Sequence, residues 1–333
     1  MADFARRKDS GPDRRSAVRF FRGKKHNSGV YSGPNFSPFP IVSRRVLCYN
    51  TVGKITCPGG FAGAESRIFR EFIMGMICNL HAHTVRCNHA SGTEREYLDN
   101  ALAGGLKVFG FADHAPYPFA DGYRSGFRMR VDQTEDYVNT LLAMREEYRG
   151  RIDVKIGYEA EYYPRFFRDF LKNITSYPVD YIIMGQHFLE NEVEGKYSGR
   201  TTDSEADLCQ YVDQVIEGME TGVFTYVAHP DLMNYVGAPA VFDRHYGRLI
   251  ERAKALDIPL EINLLGIRDH RAYPHDRFFE LCGQAGAPVC IGCDAHSADK
   301  AYDGPSYAVA MEMKEKFGLH VVDCPVLVPV HNL

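Results

Sequence analysis

The residues best suited to chemistry cluster at the ends of short apolar runs. The stretch "NLHAHTVRCNHA", from Asn79 to Ala90, places His81, His83, Cys87 and His89 directly behind "GMIC". Further along, "LKVFGFA" ends at Asp113 and His114, "IDVKIGY" at Glu159, "VDYIIMG" at Gln186 and His187, and "VFTYVA" at His229. "APVCIG" runs through Cys293 into Asp294 and His296. In an extended strand residues i and i+2 share a face, so His81 and His83 can aim both imidazoles at one metal ion. His89 falls in the following loop and can reach a neighbouring ion, whereas Cys87 is expected to be a bystander. Imidazole mixed with carboxylate suits zinc, iron or manganese. One catalytic zinc needs only three protein ligands. The set His81, His83, His89, His114, Glu159, His187, His229, Asp294 and His296 therefore suggests two or three metals, with Glu159 as the shared carboxylate. Without cations, so many polar groups converging on one point would be strongly destabilising.

The elements that must position these groups follow from the same pattern. The apolar runs, with "IPLEIN" as the sixth of seven, alternate with helical segments: "TEREYLDNALAGG", "VDQTEDYVNTLLAMREEYRG", "EADLCQYVDQVIEGMETG", "DRHYGRLIERAKALD" and "HDRFFELCGQAG". Several close on glycine, a common helix stop. The Val, Tyr, Leu and Met stripe of the second segment reads as a face packed on a sheet, not as a cofactor box. Repeated β-α alternation predicts an α/β fold, a barrel of about seven parallel strands whose functional groups gather at the strands' carboxyl ends.

Bulk properties narrow the class. The 333 residues are 45% hydrophobic and 25% charged, ordinary for a globular protein. No apolar stretch approaches the ~20 residues that cross a bilayer, so neither a membrane span nor a membrane partner is expected. Nine cysteines lack the paired spacing of a disulfide framework; Cys290 and Cys293 sit within a strand and its exit, and reduced thiols point to the cytoplasm. Residues 1–73 carry 14 Lys and Arg against 5 Asp and Glu, while the rest carries an excess of thirteen negative charges. So acidic a portion disfavours a nucleic-acid partner. The basic front end, rich in Gly, Ser and Pro, lacks the apolar core of a secretory signal. Residues 1–73 are expected to be disordered or a non-native extension, with Met74 or Met76 as a natural start and residues 74–333 as the barrel.

With these groups in order, the chain resembles the PHP (polymerase and histidinol phosphatase) superfamily, and within it the histidinol-phosphatase branch. The resemblance rests on "HAHT", "CNHASGTEREYLDNALAGGLKVFGFADHAP", "RMR", "GYEAEY", "DYIIMGQHF", "AHPDL", "EINLLGIR" and "GCDAHS". It spans about residues 76–325 and implies a distorted (β/α)7 barrel, TIM-like, with three divalent metals. His81, His83, Glu159 and Asp294 would hold the first, with Glu159 bridging to a second completed by His187 and His229. His89, His114 and His296 would hold the third. The implied reaction is hydrolysis of a small phosphomonoester, L-histidinol phosphate, in histidine biosynthesis. Cations there lower the pKa of water and stabilise charge on the leaving alkoxide. Arginine suits the phosphate; Arg268 is the first candidate, Arg128 and Arg130 the second. Asp113 is expected to orient a ligand or relay a proton beside the catalytic carboxylates Glu159 and Asp294. Rival readings are weaker. An amidohydrolase would want a metal-bridging lysine where Gln186-His187 stand. A nuclease would be disfavoured by the negative charge, and a metal sensor by ligands that leave coordination positions open.

Overall fold

The computed structural model describes residues 75–119 and 122–330. The expectations for residues 1–73, and for a boundary at residue 74, lie outside the described residues. Seven strands are parallel neighbours: β1 (Cys78–Asn79), β2 (Val108–His114), β3 (Asp153–Ala160), β4 (Tyr181–Met184), β5 (Leu260–Asn263), β6 (Pro288–Gly292) and β7 (His320–Val321). They form a four-stranded sheet β1-β2-β3-β4 and a three-stranded sheet β5-β6-β7. Val227 joins them, bridging Met184 on one side and Leu260 on the other. The ring closes beyond the strand ends, where Ala82 pairs with Ala295, while β7 lies beside the start of β6. The result is the distorted (β/α)7 barrel, with the "VFTYVA" strand reduced to one bridging residue.

Register decides which ligands meet. His114 pairs with Glu159 across β2 and β3. The Ala82–Ala295 bridge sets His81 and His83 beside Asp294 and His296, with the His83 amide donating to the Ala295 carbonyl at 2.9 Å.

Helices cover the barrel: α1 (Glu94–Ala103), α2 (Thr134–Glu147), α3 (Pro164–Ile174), α4 (Glu205–Glu220), α5 (Pro239–Ala255), the short α6 (Leu264–Arg268), α7 (Asp276–Ala285) and α8 (Gly304–Phe317). Their starts are chemically marked. Thr93 caps α1 in a reciprocal capping box with Glu96, and Pro164 and Pro239 occupy the first turns of α3 and α5. Gly286 and Gly318 end α7 and α8 with φ of 66° and 64°, where a β-carbon would be strained. α3 and α8 were not anticipated in the sequence. α3 is nonetheless strongly amphipathic, burying Phe166, Phe167, Phe170 and Ile174. None of the described helices is long and apolar enough to cross a membrane, and all seven described cysteines are free thiols.

Candidate metal centre

The strand ends bring the expected ligands together around one carboxylate. Glu159 Oε1 lies 2.8 Å from His229 Nε2 and 3.4 Å from His187 Nε2. Its Oε2 lies 3.1 Å from His114 Nδ1 and 3.6 Å from both His81 Nε2 and His83 Nε2. Asp294 Oδ1 is 3.1 Å from His83 Nε2, 3.3 Å from His296 Nδ1 and 3.6 Å from His81 Nε2. The His296 ring stacks at 4.0 Å on His83 and lies 4.6 Å from His89.

Electrostatics explain why this cluster calls for cations. Burial would raise the pKa of Glu159, but His187, His114 and His81 outweigh it and hold the carboxyl well below its usual range. Asp294 behaves likewise, with His81, His296 and His83 together outweighing burial. Burial would lower His83, yet Asp113 and Asp294 push it up to about 9. His114 moves the other way: burial, with the neighbouring His83 and His187, drives it well below the ordinary imidazole value despite Glu159. Its ring is thus ready to bind as a neutral donor.

The fit to metal can be judged from unpaired atoms. His81 Nε2, both ring nitrogens of His83, His114 Nδ1, His229 Nδ1, Asp294 Oδ1 and His296 Nε2 are buried without a hydrogen-bond partner. Buried polar atoms are overwhelmingly paired, so this concentration fits a donor set built for cations. The donor atoms of His81, His83 and Asp294, of His81, Glu159 and His229, and of His83, His114 and His296 lie within 4.8 Å of one another. Cys87 shares such a group with His89 and His296. Burial, reinforced by Asp113, pushes its thiol pKa up and makes it a poor thiolate ligand.

Two ligands carry left-handed backbones, His229 at φ 31° and Asp294 at φ 46°. Such conformations cost energy in non-glycine residues and concentrate at functional sites. Here they turn the side chains inward as the chain leaves the barrel.

A match to the PHP domain family over residues 79–264 covers more than half of the chain, including seven of the nine expected ligands, the Glu159 hub among them. The chain belongs to the PHP domain family. It is 29% identical over 232 residues to the "Probable histidinol-phosphatase" of Deinococcus radiodurans, covering 66% of this chain and 86% of that protein. Identity is 24% over 248 residues to the histidinol-phosphatase of Bacillus subtilis, covering 66% of this chain and 92% of that protein. Among solved structures, a histidinol phosphate phosphatase from Lactococcus lactis, complexed with zinc, L-histidinol and phosphate, is similar with a TM-score of 0.60. That match is at 19% identity and covers 78% of this chain and 98% of the other, so it demonstrates the shared fold.

Residues behind the expected ligands complete the candidate centre. Glu261 on β5 was not anticipated: its Oε1 lies 2.8 Å from His81 Nδ1, and its Oε2 accepts from the His229 amide at 3.0 Å and from Asn263 Nδ2 at 2.8 Å. Asn263 Nδ2 also donates to Asp294 Oδ2 at 3.1 Å. The available signal was a carboxylate inside "LEIN", whose four residues are all buried. Glu161 plays the matching part for His187, with Oε1 2.9 Å from its Nδ1. Asp113 is fully buried, accepts from the Thr84 hydroxyl, and lies 3.4 Å from His83 Nδ1.

The three arginines expected at phosphate are placed elsewhere. Arg128 is buried, bonded by Nη2 to Glu161 at 2.8 Å and by Nε to Glu192 at 2.7 Å, so its planar fork is consumed inside the protein. Arg130 is exposed and pairs with Asp132. Arg268 stands behind the centre, donating to the Cys293 carbonyl at 3.0 Å and the Asp294 carbonyl at 2.8 Å, where it clamps the strained turn. The arginine lining the cleft beside the candidate ligands is Arg271. Its Nη1 donates to the Tyr273 hydroxyl at 3.1 Å. The cleft encloses about 400 Å³ and is lined also by Phe127, Phe188, Tyr197 and Asp269.

Proposed function

We propose that this chain is a metal-dependent phosphomonoesterase that hydrolyses L-histidinol phosphate to L-histidinol and phosphate. The observation that carries the reading is the Glu159 carboxylate at the cleft floor, one oxygen facing His187 and His229, the other facing His81, His83 and His114. The names of the curated relatives, histidinol-phosphatases from two bacteria, supply the substrate.

In this reading the centre would take three divalent cations. His81, His83, Glu159 and Asp294 would hold one, Glu159, His187 and His229 a second, and His89, His114 and His296 a third. When bound, the cations lower the pKa of water, bind phosphoryl oxygens and stabilise the leaving oxygen. Zinc, iron and manganese all suit this donor set, and availability selects among them. The protein's own groups do the positioning. Arg271 presents its guanidinium to the phosphoryl oxygens from the cleft wall, a geometry that arginine's planar fork favours. Tyr273, whose pKa burial pushes up, keeps its proton and offers a hydrogen bond beside it. Glu261 fixes the ring of His81 through the 2.8 Å contact at Nδ1, and the Asp113 carboxylate faces Nδ1 of His83, so that each ring would direct its Nε2 toward the cations. A cytoplasmic setting accords with the reduced thiols.

The test is phosphate release from L-histidinol phosphate, p-nitrophenyl phosphate and a short DNA strand, using metal-loaded protein and the Glu159→Gln variant. Strong preference for L-histidinol phosphate, abolished in the variant, is expected. Turnover of p-nitrophenyl phosphate alone would keep the chemistry and remove the substrate assignment.

A further inference from the structure

Two walls of the cleft adjoin the candidate ligands. On one, the Tyr273 ring lies 5.7 Å from the ring of His229, Arg271 Nη1 is 3.1 Å from the Tyr273 hydroxyl, and Arg271 Nη2 is 3.3 Å from Asp269 Oδ2. A positive and a negative charge therefore stand side by side in the cleft lining. On the other wall, Phe127 meets the rings of His114 at 5.1 Å and His187 at 6.0 Å. Phe188 stacks on Phe127 at 5.9 Å, and Tyr197 meets Phe188 at 5.7 Å. That wall is aromatic throughout.

The Asp269–Arg271 pair is itself weakly held. The two side chains are 45% and 42% exposed, and exposed pairs of this kind contribute little stability. Their charges are thus available to a ligand with little loss to the fold. A plain alkyl or aryl phosphate would engage only Arg271. An ester carrying an ammonium group beyond its bridging oxygen presents both a negative and a positive charge, one for Arg271 and one for Asp269. The aromatic surfaces of the same cleft favour a cation or a flat ring by stacking and cation–π attraction.

We infer that Asp269, lining the same cleft as Phe127, Phe188 and Tyr197, forms a cation subsite that selects amine-bearing leaving groups. The inference rests on the phosphatase reading and deepens it: the metals and Arg271 read the phosphate, and Asp269 reads the amine of the alcohol.

The experiment compares kcat/KM for L-histidinol phosphate and for the same ester lacking the amine, in wild type, Asp269→Asn and Arg271→Gln. Binding of L-histidinol to each metal-loaded protein is measured by calorimetry alongside. The ratio of the two kcat/KM values is expected to fall about tenfold in Asp269→Asn, the lower end of what a charge-assisted hydrogen bond to a half-exposed group discriminates. Arg271→Gln is expected to slow both esters and keep the ratio. An unchanged ratio in Asp269→Asn, or an equal fall on both esters, overturns the subsite. If wild type hydrolyses neither ester, the phosphatase reading fails separately and binding decides. L-Histidinol held about tenfold more weakly by Asp269→Asn supports the subsite, and indistinguishable binding overturns it.

Discussion

His81 and Glu261 face each other inside the barrel with Nδ1 and Oε1 2.8 Å apart, and neither side chain is exposed. The carboxylate accepts the Nδ1 proton and so leaves Nε2 free to point at Glu159 and Asp294. Because Glu261 also receives the His229 amide, one side chain positions ligands assigned to two different metals. Glu261→Gln keeps the shape but turns one acceptor into a donor. Metal affinity is expected to fall about 10–100-fold, the range for such supporting partners, with secondary structure retained. Competition with a calibrated chelator measures this; affinity within twofold of wild type would refute the role.

Two glycines exist because of the buried carboxylates. A β-carbon at Gly185, just past β4, would collide with the carboxylate of Glu159, and one at Gly292 would collide with that of Glu261. Neither position has a positive φ, so space alone forbids the side chain. Gly185→Ala is expected to push Glu159 out of its bridging place and to cost about 1–3 kcal/mol of stability, as overpacking does. Wild type should lose melting temperature on chelation, since bound metal stabilises only the folded state. The variant's melting temperature should respond far less. A full chelator response in Gly185→Ala would show that Glu159 is not displaced.

Arg268 and Arg271 stand three residues apart and are expected to fail differently. Arg268 grips the Cys293 and Asp294 carbonyls, so Arg268→Met should loosen the left-handed turn at Asp294 and lower metal content. Arg271 lines the cleft, so Arg271→Gln should raise KM or slow turnover about tenfold or more through a lost charged hydrogen bond, at unchanged metal content. Elemental analysis beside steady-state kinetics separates the two. Full metal occupancy in Arg268→Met with raised KM would return that residue to the substrate.

That pair also shows where the sequence stops being informative. The strand ends were legible, because apolar runs set the parallel strands and because His, Asp and Glu rarely end such runs for packing reasons alone. His81, Glu159 and His229 could therefore be placed in one centre before any coordinates. Which arginine reaches the cleft depended on a single turn of helix, α6, followed by the loop to Tyr273, and spacing does not encode that direction. Arg128 deceived for a related reason: "FRMR" looks like an exposed basic loop, yet Glu161 and Glu192, 33 and 64 residues away, draw its first arginine inside. Glu261 escaped notice because one carboxylate in a short strand reads as ordinary alternation unless both strand faces are known to be buried.

The Glu161–Arg128–Glu192 triad also makes a prediction about stability. Arg128 is buried with its guanidinium over the Phe127 ring at 4.4 Å and bonds to both carboxylates. Removing it strands two buried negative charges, one of them the partner of His187. Arg128→Met is expected to cost about 3–5 kcal/mol, the usual penalty for breaking a buried ion pair from one side. The deficit should depend on pH. Burial would raise the pKa of Glu161, but Arg128 and then His187 outweigh it and hold it below the ordinary carboxylate value. A depressed carboxylate contributes stability above its unfolded pKa of roughly 4.3 and loses it as pH falls through the lower folded value. In the variant the main depressing charge is gone, so Glu161 protonates more readily and relieves the stranded charge. The stability gap between wild type and Arg128→Met should therefore be widest near neutrality and narrow on acidification. Paired urea denaturation of the metal-free proteins from pH 7 downward reads it directly, and a gap that stayed constant or widened would mean that packing, not charge, is what Arg128 supplies.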